Sequence, residues 1–270
     1  MNELLKRTLS GVGFVLIMLF AIWFHEISFF ILLTLIFSLG TNEFIKLICR
    51  NKKMPVIIVT TVTGILILGL NFLIAGTFIS STYLIINFLL FFATPLILLF
   101  FRPNSFSGAY VTSLTSLLYM ALPLSLMVYI TFMPGGYEPL LITAYFILLW
   151  TFDSFAYIFG RILGKHKILP SISPKKSWEG FAGGIIFILI VAILLHRLAS
   201  LMDLLHWMII ALIVAITGTA GDFAESAIKR KSGVKDSGNL IPGHGGIMDR
   251  FDAVFMSVPF VFLYLALFVY

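Results

Sequence analysis

The chain has 270 residues, of which 60% are hydrophobic and only 11% charged, with a mean hydropathy of +1.08. Soluble domains are about 45–50% apolar and about 25% charged, so this composition excludes a water-soluble enzyme, a secreted disulfide scaffold, a disordered chain and an extended nucleic-acid binder. The balance of 18 Lys and Arg against 12 Asp and Glu points first to membrane topology, because cytoplasmic loops of membrane proteins are rich in basic residues. The single Cys49 can form neither an internal disulfide nor a cysteine-based metal site.

The expected fold is all-α, a polytopic transmembrane helical protein of about nine spans, forming one integral membrane domain over residues 1–270. A span takes about 17–25 mostly apolar residues. In chain order the apolar runs are Gly11–Trp23, Ile27–Thr41, Pro55–Ile74, Tyr83–Phe101, Ala109–Thr131, Pro139–Gly160, Glu179–His196, Trp207–Lys229 and Phe251–Tyr270. The first two are short and separated only by His25-Glu26, so they read as two thin spans or as a re-entrant hairpin. Lys6-Arg7 before an apolar run resembles the start of a signal peptide, but no small-x-small cleavage pattern follows and a signal anchor is expected. Residues 1–105 hold the N-terminal spans. Residues 106–270 form the half expected to carry the chemistry, with polar loops at 161–178 and 229–250.

Placing the N-terminus in the cytoplasm and the C-terminus outside puts 17 of the 18 basic residues on the cytoplasmic side, with only Arg197 opposite. An even number of spans would scatter them, so the charge pattern and the span count support each other. Both long polar loops then face the cytoplasm.

A carboxylate deep in a span costs about 2.5–3.5 kcal/mol on insertion scales, which makes intramembrane acids functional candidates. Asp153 interrupts the sixth span; Asp222 and Glu225 lie in the eighth. Asp153 stands eight residues before Arg161 and Asp222 seven before Lys229, so both sit about 10–12 Å below the cytoplasmic helix ends and can converge on one polar cavity. A polar pair that only fixes helix packing is the plainer alternative. Asp222, Glu225, Ser226 and Lys229 follow i, i+3, i+4, i+7 and share a helix face. Gly218, Ala220 and Gly221 just before them suit close helix packing.

The segment from Ser226 to Asp252, SAIKRKSGVKDSGNLIPGHGGIMDRFD, gathers five bases, three acids, a histidine, five glycines and a proline. The positive-inside rule accounts for the bases alone. Pro242-Gly243-His244-Gly245-Gly246 reads as a loop whose glycines allow positive φ and close backbone approach to a phosphate. Asp249 and Asp252 open the last span at i, i+3, where carboxylates are favoured. Oxygen ligands suit Mg²⁺ and the flanking bases suit phosphate; no Walker A loop is present.

Ser226-x-x-Lys229-Arg230-x₄-Lys235-Asp236 followed by Pro242-x-His244-Gly245-Gly246-x-x-Asp249-Arg250-x-Asp252 resembles the signature of the phosphatidate cytidylyltransferases, the CDP-diglyceride synthases. The match covers 27 residues with every fixed position filled. Asp153, the run Ser173-Pro174-Lys175-Lys176-Ser177-Trp178-Glu179-Gly180 and the glycine-rich seventh span resemble the same family's preceding half.

The resemblance implies transfer of a cytidylyl group from CTP to phosphatidic acid with Mg²⁺, giving CDP-diacylglycerol and pyrophosphate. It also implies a multi-pass protein of the cytoplasmic (inner) membrane and a homodimer. On that reading Asp222 and Asp249 are the first choices as metal ligands, with Asp252 and Glu225 as alternates or supports, and two metal ions would suit the displacement. Lys229, Arg230 and Lys235 hold phosphates, and Lys175 and Lys176 close from the other loop. His244 donates to the leaving pyrophosphate or is a satisfied loop histidine. Asp236 and Arg250 bind substrate or pair with neighbours. Ser177 and Ser226 cap helices or bond phosphate.

Two rivals compete with this reading. An ion- or proton-coupled secondary transporter would use Asp153 and Asp222 as ion sites, but paired broken repeats are not seen in the sequence. Another membrane phosphotransferase acting on a lipid phosphate is the second, although the CDP-alcohol phosphotransferase pattern is absent.

Overall fold

A computed structural model describes residues 3–49, 54–101, 106–199, 201–238, 240 and 245–270. Among them, eight helices are long and apolar enough to cross a membrane, and Leu9–Phe24 forms a shorter apolar stretch. The all-helical expectation therefore holds. The chain divides into two compact units, Met1–Tyr137 with Ser232–Phe251, and Glu138–Lys231 with Asp252–Tyr270.

The first unit begins with α1 (Glu3–Phe24), α2 (Glu26–Ile48) and α3 (Met54–Ala75). The apolar runs underestimated the first two helices, whose polar flanks are also helical. At 23 residues α2 is long enough to span, whereas the apolar part of α1, Leu9–Phe24, stays short, as the thin first segment in the sequence suggests. The single break between them has a local cause. His25 is extended, its Nδ1 accepts from the Ile27 N–H at 3.2 Å, and its own N–H donates to Ser28 Oγ at 3.0 Å. This reciprocal capping box starts α2 with no intervening loop. Gly64 of α3 lies against the Phe37 ring of α2, leaving no room for a Cβ.

After a short 3₁₀ turn at Ser81–Leu84 come α4 (Ile85–Phe101), α5 (Phe106–Ser116) and α6 (Leu122–Phe132). The expected fifth span is α5 and α6 joined through a π-helical turn at Leu117–Ala121. Pro123 cannot donate to the carbonyl four residues back, and next to it the Leu122 N–H reaches back five residues to the Leu117 carbonyl. Thr41 and Ser116 hydroxyls meet at 3.1 Å, and Thr60 donates to Ser113 at 2.8 Å, so α2 and α3 are tied to α5 by satisfied polar pairs inside an apolar core.

The second unit contains α7 (Pro139–Ile162), strands β1 (Lys167–Leu169) and β2 (Ser173–Ser177), α8 (Trp178–Leu198), α9 (Leu204–Lys231) and most of α10 (Met248–Phe268). Gly180 of α8 is pressed onto α7, where a Cβ would come within 2.6 Å of the Ala156 carbonyl oxygen and 2.9 Å of Gly160 Cα. Such backbone approach drives helix association where apolar burial cannot. The 28 residues of α9 run about 42 Å, longer than the roughly 30 Å hydrocarbon core. Its last turn carries Lys229, Arg230 and Lys231.

Candidate active site

The polar stretch between the sixth and seventh spans is not a loop throughout. β1 and β2 pair antiparallel, with Lys167 opposite Ser177 and Leu169 opposite Ser173. The hairpin is pinned at its base. Glu179 of α8 accepts from the Lys165 N–H at 3.1 Å and the His166 N–H at 3.2 Å, and meets His166 Nδ1 at 2.6 Å; the Trp178 N–H donates to the His166 carbonyl at 2.9 Å. Ser177 is the N-cap of α8, its Oγ accepting from the Gly180 N–H at 3.3 Å, and it is buried. Of the roles open to Ser177 in the sequence, the structure displays the cap.

Side chains alternate across a strand, and β2 uses this to separate its two lysines. Lys175 is exposed, whereas Lys176 turns inward and its Nζ donates to Asp222 Oδ2 on α9. Burial draws the Lys176 pKa below the usual lysine range, and the nearby charges of Asp153, Asp252 and Glu225 oppose that shift. The ammonium also lies 5.1 Å from the centre of the Phe223 ring, a cation–π distance. Asp222 of α9 thus pairs with this lysine directly, and the charges of Asp153 on α7 and Asp252 on α10 act on it.

On α9 the predicted shared face is present. Lys229 Nζ donates to Glu225 Oε2 at 2.7 Å, and the Glu225 side chain is 1% exposed. Asp252 Oδ1 accepts from the Ala253 N–H at 2.8 Å near the start of α10. Gly221 serves packing: a Cβ there would come within 2.5 Å of the Asp252 carbonyl oxygen and 2.9 Å of Met256 Cβ. Ser226 is half-buried on the same helix, and Arg230 is exposed.

The signature segment beyond α9 lies in the first unit, and there Asp249 organises the backbone. Its Oδ2 accepts from the Gly246 N–H at 2.8 Å, the Ser237 N–H at 3.0 Å and Ser237 Oγ at 3.0 Å. Gly245 has φ +88°, as the sequence predicts for this stretch, and its missing Cβ leaves room for the Asp249 carboxylate. The glycines at 245 and 246 thus make space for acid side chains of the same unit, where the sequence suggested a phosphate cradle. Lys235, Asp236 and Arg250 are exposed. His244 lies outside the described residues.

One acid escaped the sequence reading. Glu43 of α2 accepts from the Met248 N–H at 3.0 Å and from Ser237 Oγ at 3.3 Å. The only signal available was its place as an acid near the C-terminal end of an apolar helix.

The carboxylates present a donor set of hard oxygens, the chemistry Mg²⁺ takes; among the described residues no three His, Cys, Asp or Glu side chains stand in a ligating arrangement. The chemical fit therefore rests on ligand type, with Asp222, Glu225 and Asp252 sharing one unit and one lysine.

Comparison with known proteins adds an independent finding. The model of the cytidylyltransferase family matches residues 5–268. A Bacillus subtilis protein named phosphatidate cytidylyltransferase is 34% identical over 99% of this chain and 100% of its own length. Proteins of the same name from Staphylococcus haemolyticus and Staphylococcus saprophyticus are 48% and 47% identical over 42% of this chain and 44% of theirs. With a match that runs through both units and nearly every helix, the chain belongs to the cytidylyltransferase family.

Proposed function

We propose that this protein transfers the cytidylyl group of CTP to phosphatidic acid, giving CDP-diacylglycerol and pyrophosphate, at the cytoplasmic face of the inner membrane. The observation that carries the reading is the lysine of β2 paired with Asp222 of α9, under the charges of Asp153, Glu225 and Asp252. Such a cluster lets one membrane-embedded site handle a nucleotide, a lipid phosphate and the cation that accompanies them.

In the reaction a phosphate oxygen of phosphatidate attacks the α-phosphorus of CTP in line. The bond from that phosphorus to the oxygen bridging to the β-phosphorus breaks, and pyrophosphate leaves with the electron pair. Phosphatidate is already anionic near neutral pH, so alignment and charge neutralisation dominate the task. Mg²⁺, when bound, would neutralise the nucleotide phosphates and could stabilise both entering and leaving oxygens. Asp222 would hold it, with Asp252 or Glu225 of the same unit in support. Asp249, with three donors on one oxygen, instead shapes the signature loop.

Lys176 orients the Asp222 carboxylate and supplies positive charge to incoming phosphate. Lys229 holds Glu225 in place. Arg230, Lys235 and Arg250, exposed to solvent, collect the phosphates, as does Lys175. The proposal includes the N-in, C-out orientation and a homodimer, the latter checked by light scattering of the detergent-solubilised protein.

Incubation of purified protein with labelled CTP, Mg²⁺ and phosphatidate in mixed micelles tests the reading. CDP-lipid and pyrophosphate should appear in equal amounts. No CDP-lipid, or equal turnover with a polyprenyl phosphate, overturns it.

A further inference from the structure

We propose that Glu43, on α2, is a positioning residue for the transfer reaction: its carboxylate caps α10 from another helix and fixes Ser237 and Gly238 beside Gly246 and Met248. The proposal rests on the reading above that the signature segment serves cytidylyl transfer.

Glu43 is 194 residues from Ser237 and 205 from Met248, yet its carboxylate meets both. Met248 opens α10 and is completely buried. A first-turn N–H has no acceptor within its own helix, and Glu43 Oε2 supplies one at 3.0 Å. A carboxylate at that end also meets the positive end of the helix dipole.

The same oxygen lies 3.3 Å from Ser237 Oγ, which is 3.0 Å from Asp249 Oδ2. Ser237 therefore stands between an acid of α2 and an acid of α10. Its one hydroxyl proton can serve either, while its N–H stays with Asp249. Glu43, Ser237 and Asp249 form a short chain of contacts that ties Ser237 to the start of α10.

Two signature-segment glycines complete the fit. A Cβ on Gly238 would come within 2.5 Å of Glu43 Oε1 and 2.9 Å of Glu43 Cδ, and its three nearest neighbours all belong to Glu43. Gly246 likewise faces the Glu43 carboxylate and Ser237 Oγ. A methyl group at either position would displace the carboxylate from Met248. One turn earlier, Gly40 packs beside Ile247 and Met120, so the end of α2 approaches the start of α10 along a continuous seam. Lys235 and Asp236 directly precede Ser237, and Arg250 and Asp252 lie in the first turns of α10. Displacing this segment moves phosphate-binding groups without removing any of them.

The test is a mutant cycle between Glu43 and Gly238, read by kcat, KM and hydrogen exchange of the Met248 amide. Glu43→Leu, of similar bulk but without an acceptor, should lower kcat about 10–100-fold through misplacement. Glu43→Gln keeps an acceptor oxygen and should retain at least about one-third of kcat. Gly238→Ala should cost about tenfold in the native background and nothing further in Glu43→Ala, because the methyl then enters vacated space. The Met248 amide should exchange faster in Glu43→Leu and Gly238→Ala but not in Glu43→Gln, whether or not substrate is present.

Additive costs of Gly238→Ala and Glu43→Ala, equal kcat in Glu43→Leu and Glu43→Gln, or unchanged Met248 exchange would overturn the proposal. The exchange readout needs no turnover. An inactive native protein with the predicted exchange pattern would reject cytidylyl transfer and leave the structural role of Glu43 standing.

Discussion

Lys176 of β2 donates to the carboxylate of Asp222 on α9, while Lys175, its neighbour in the same strand, faces solvent. Adjacent residues of identical chemistry thus have different surroundings, and their variants should separate in kinetics. Lys176→Met should lower kcat at least about 100-fold, since it leaves Asp222 and its neighbouring carboxylates without their lysine. Lys175→Ala should raise the KM for CTP a few-fold, about the value of one exposed phosphate contact, with kcat unchanged. Equal losses in the two variants would contradict the division, and steady-state kinetics in mixed micelles decides it.

Asp222→Asn should reduce turnover by more than about 100-fold while membrane insertion and thermal stability stay near those of the native protein. The amide keeps an oxygen for Lys176 but is a poor ligand for a divalent cation. Chelation should silence the native enzyme and added Mg²⁺ should restore it. An Asp222→Asn protein with native activity would remove Asp222 from the metal set.

Gly221→Val tests the close approach of α9 to α10. Its Cβ alone would strike the Asp252 carbonyl and Met256, and forcing added bulk into a tight contact typically costs about 1–3 kcal/mol. Thermal unfolding in detergent should show that loss. Ala220→Val, on the exposed side of the same helix, should show none.

Ser177→Ala removes the N-cap of α8 and should cost about 1 kcal/mol of stability. If the cap is its task, the KM values for both substrates should stay within about twofold of the native ones. A large rise in either KM with unchanged stability would assign Ser177 to substrate instead.

The apolar helices were legible in the sequence because each span buries or exposes apolar side chains nearly all round, and hydropathy registers that directly. The acids Asp153, Asp222, Glu225 and Asp252 stood out because such residues are rare in spans. Legibility failed where polar residues belong to helices. Reading α2 as ending at Thr41 left Asn42 through Ile48 outside a helix that contains them, and Glu43 became an unremarked loop acid. The hairpin was missed for a related reason. Five residues with two lysines and a proline carry almost no strand propensity, and the hairpin persists because Glu179 and Trp178 of α8 fasten Lys165 and His166, just before β1. Glycines 245 and 246 advertised close approach correctly, but nothing local identifies what approaches, and the acids of α2 and α10 do so.

The hairpin functions as a gauge of register. With a side-chain period of two, slipping β2 by one residue would turn Lys175 toward Asp222 and leave Lys176 in water. The chemical groups would be conserved, but the reach from a strand now displaced by about 3.3 Å would not. The fastenings at Glu179, Trp178 and the Ser177 cap choose between two otherwise equivalent lysines. Insertion of a single residue between Ile172 and Lys175 would therefore be absorbed in the turn and tolerated, whereas one between Lys176 and Trp178 would exchange the two lysines.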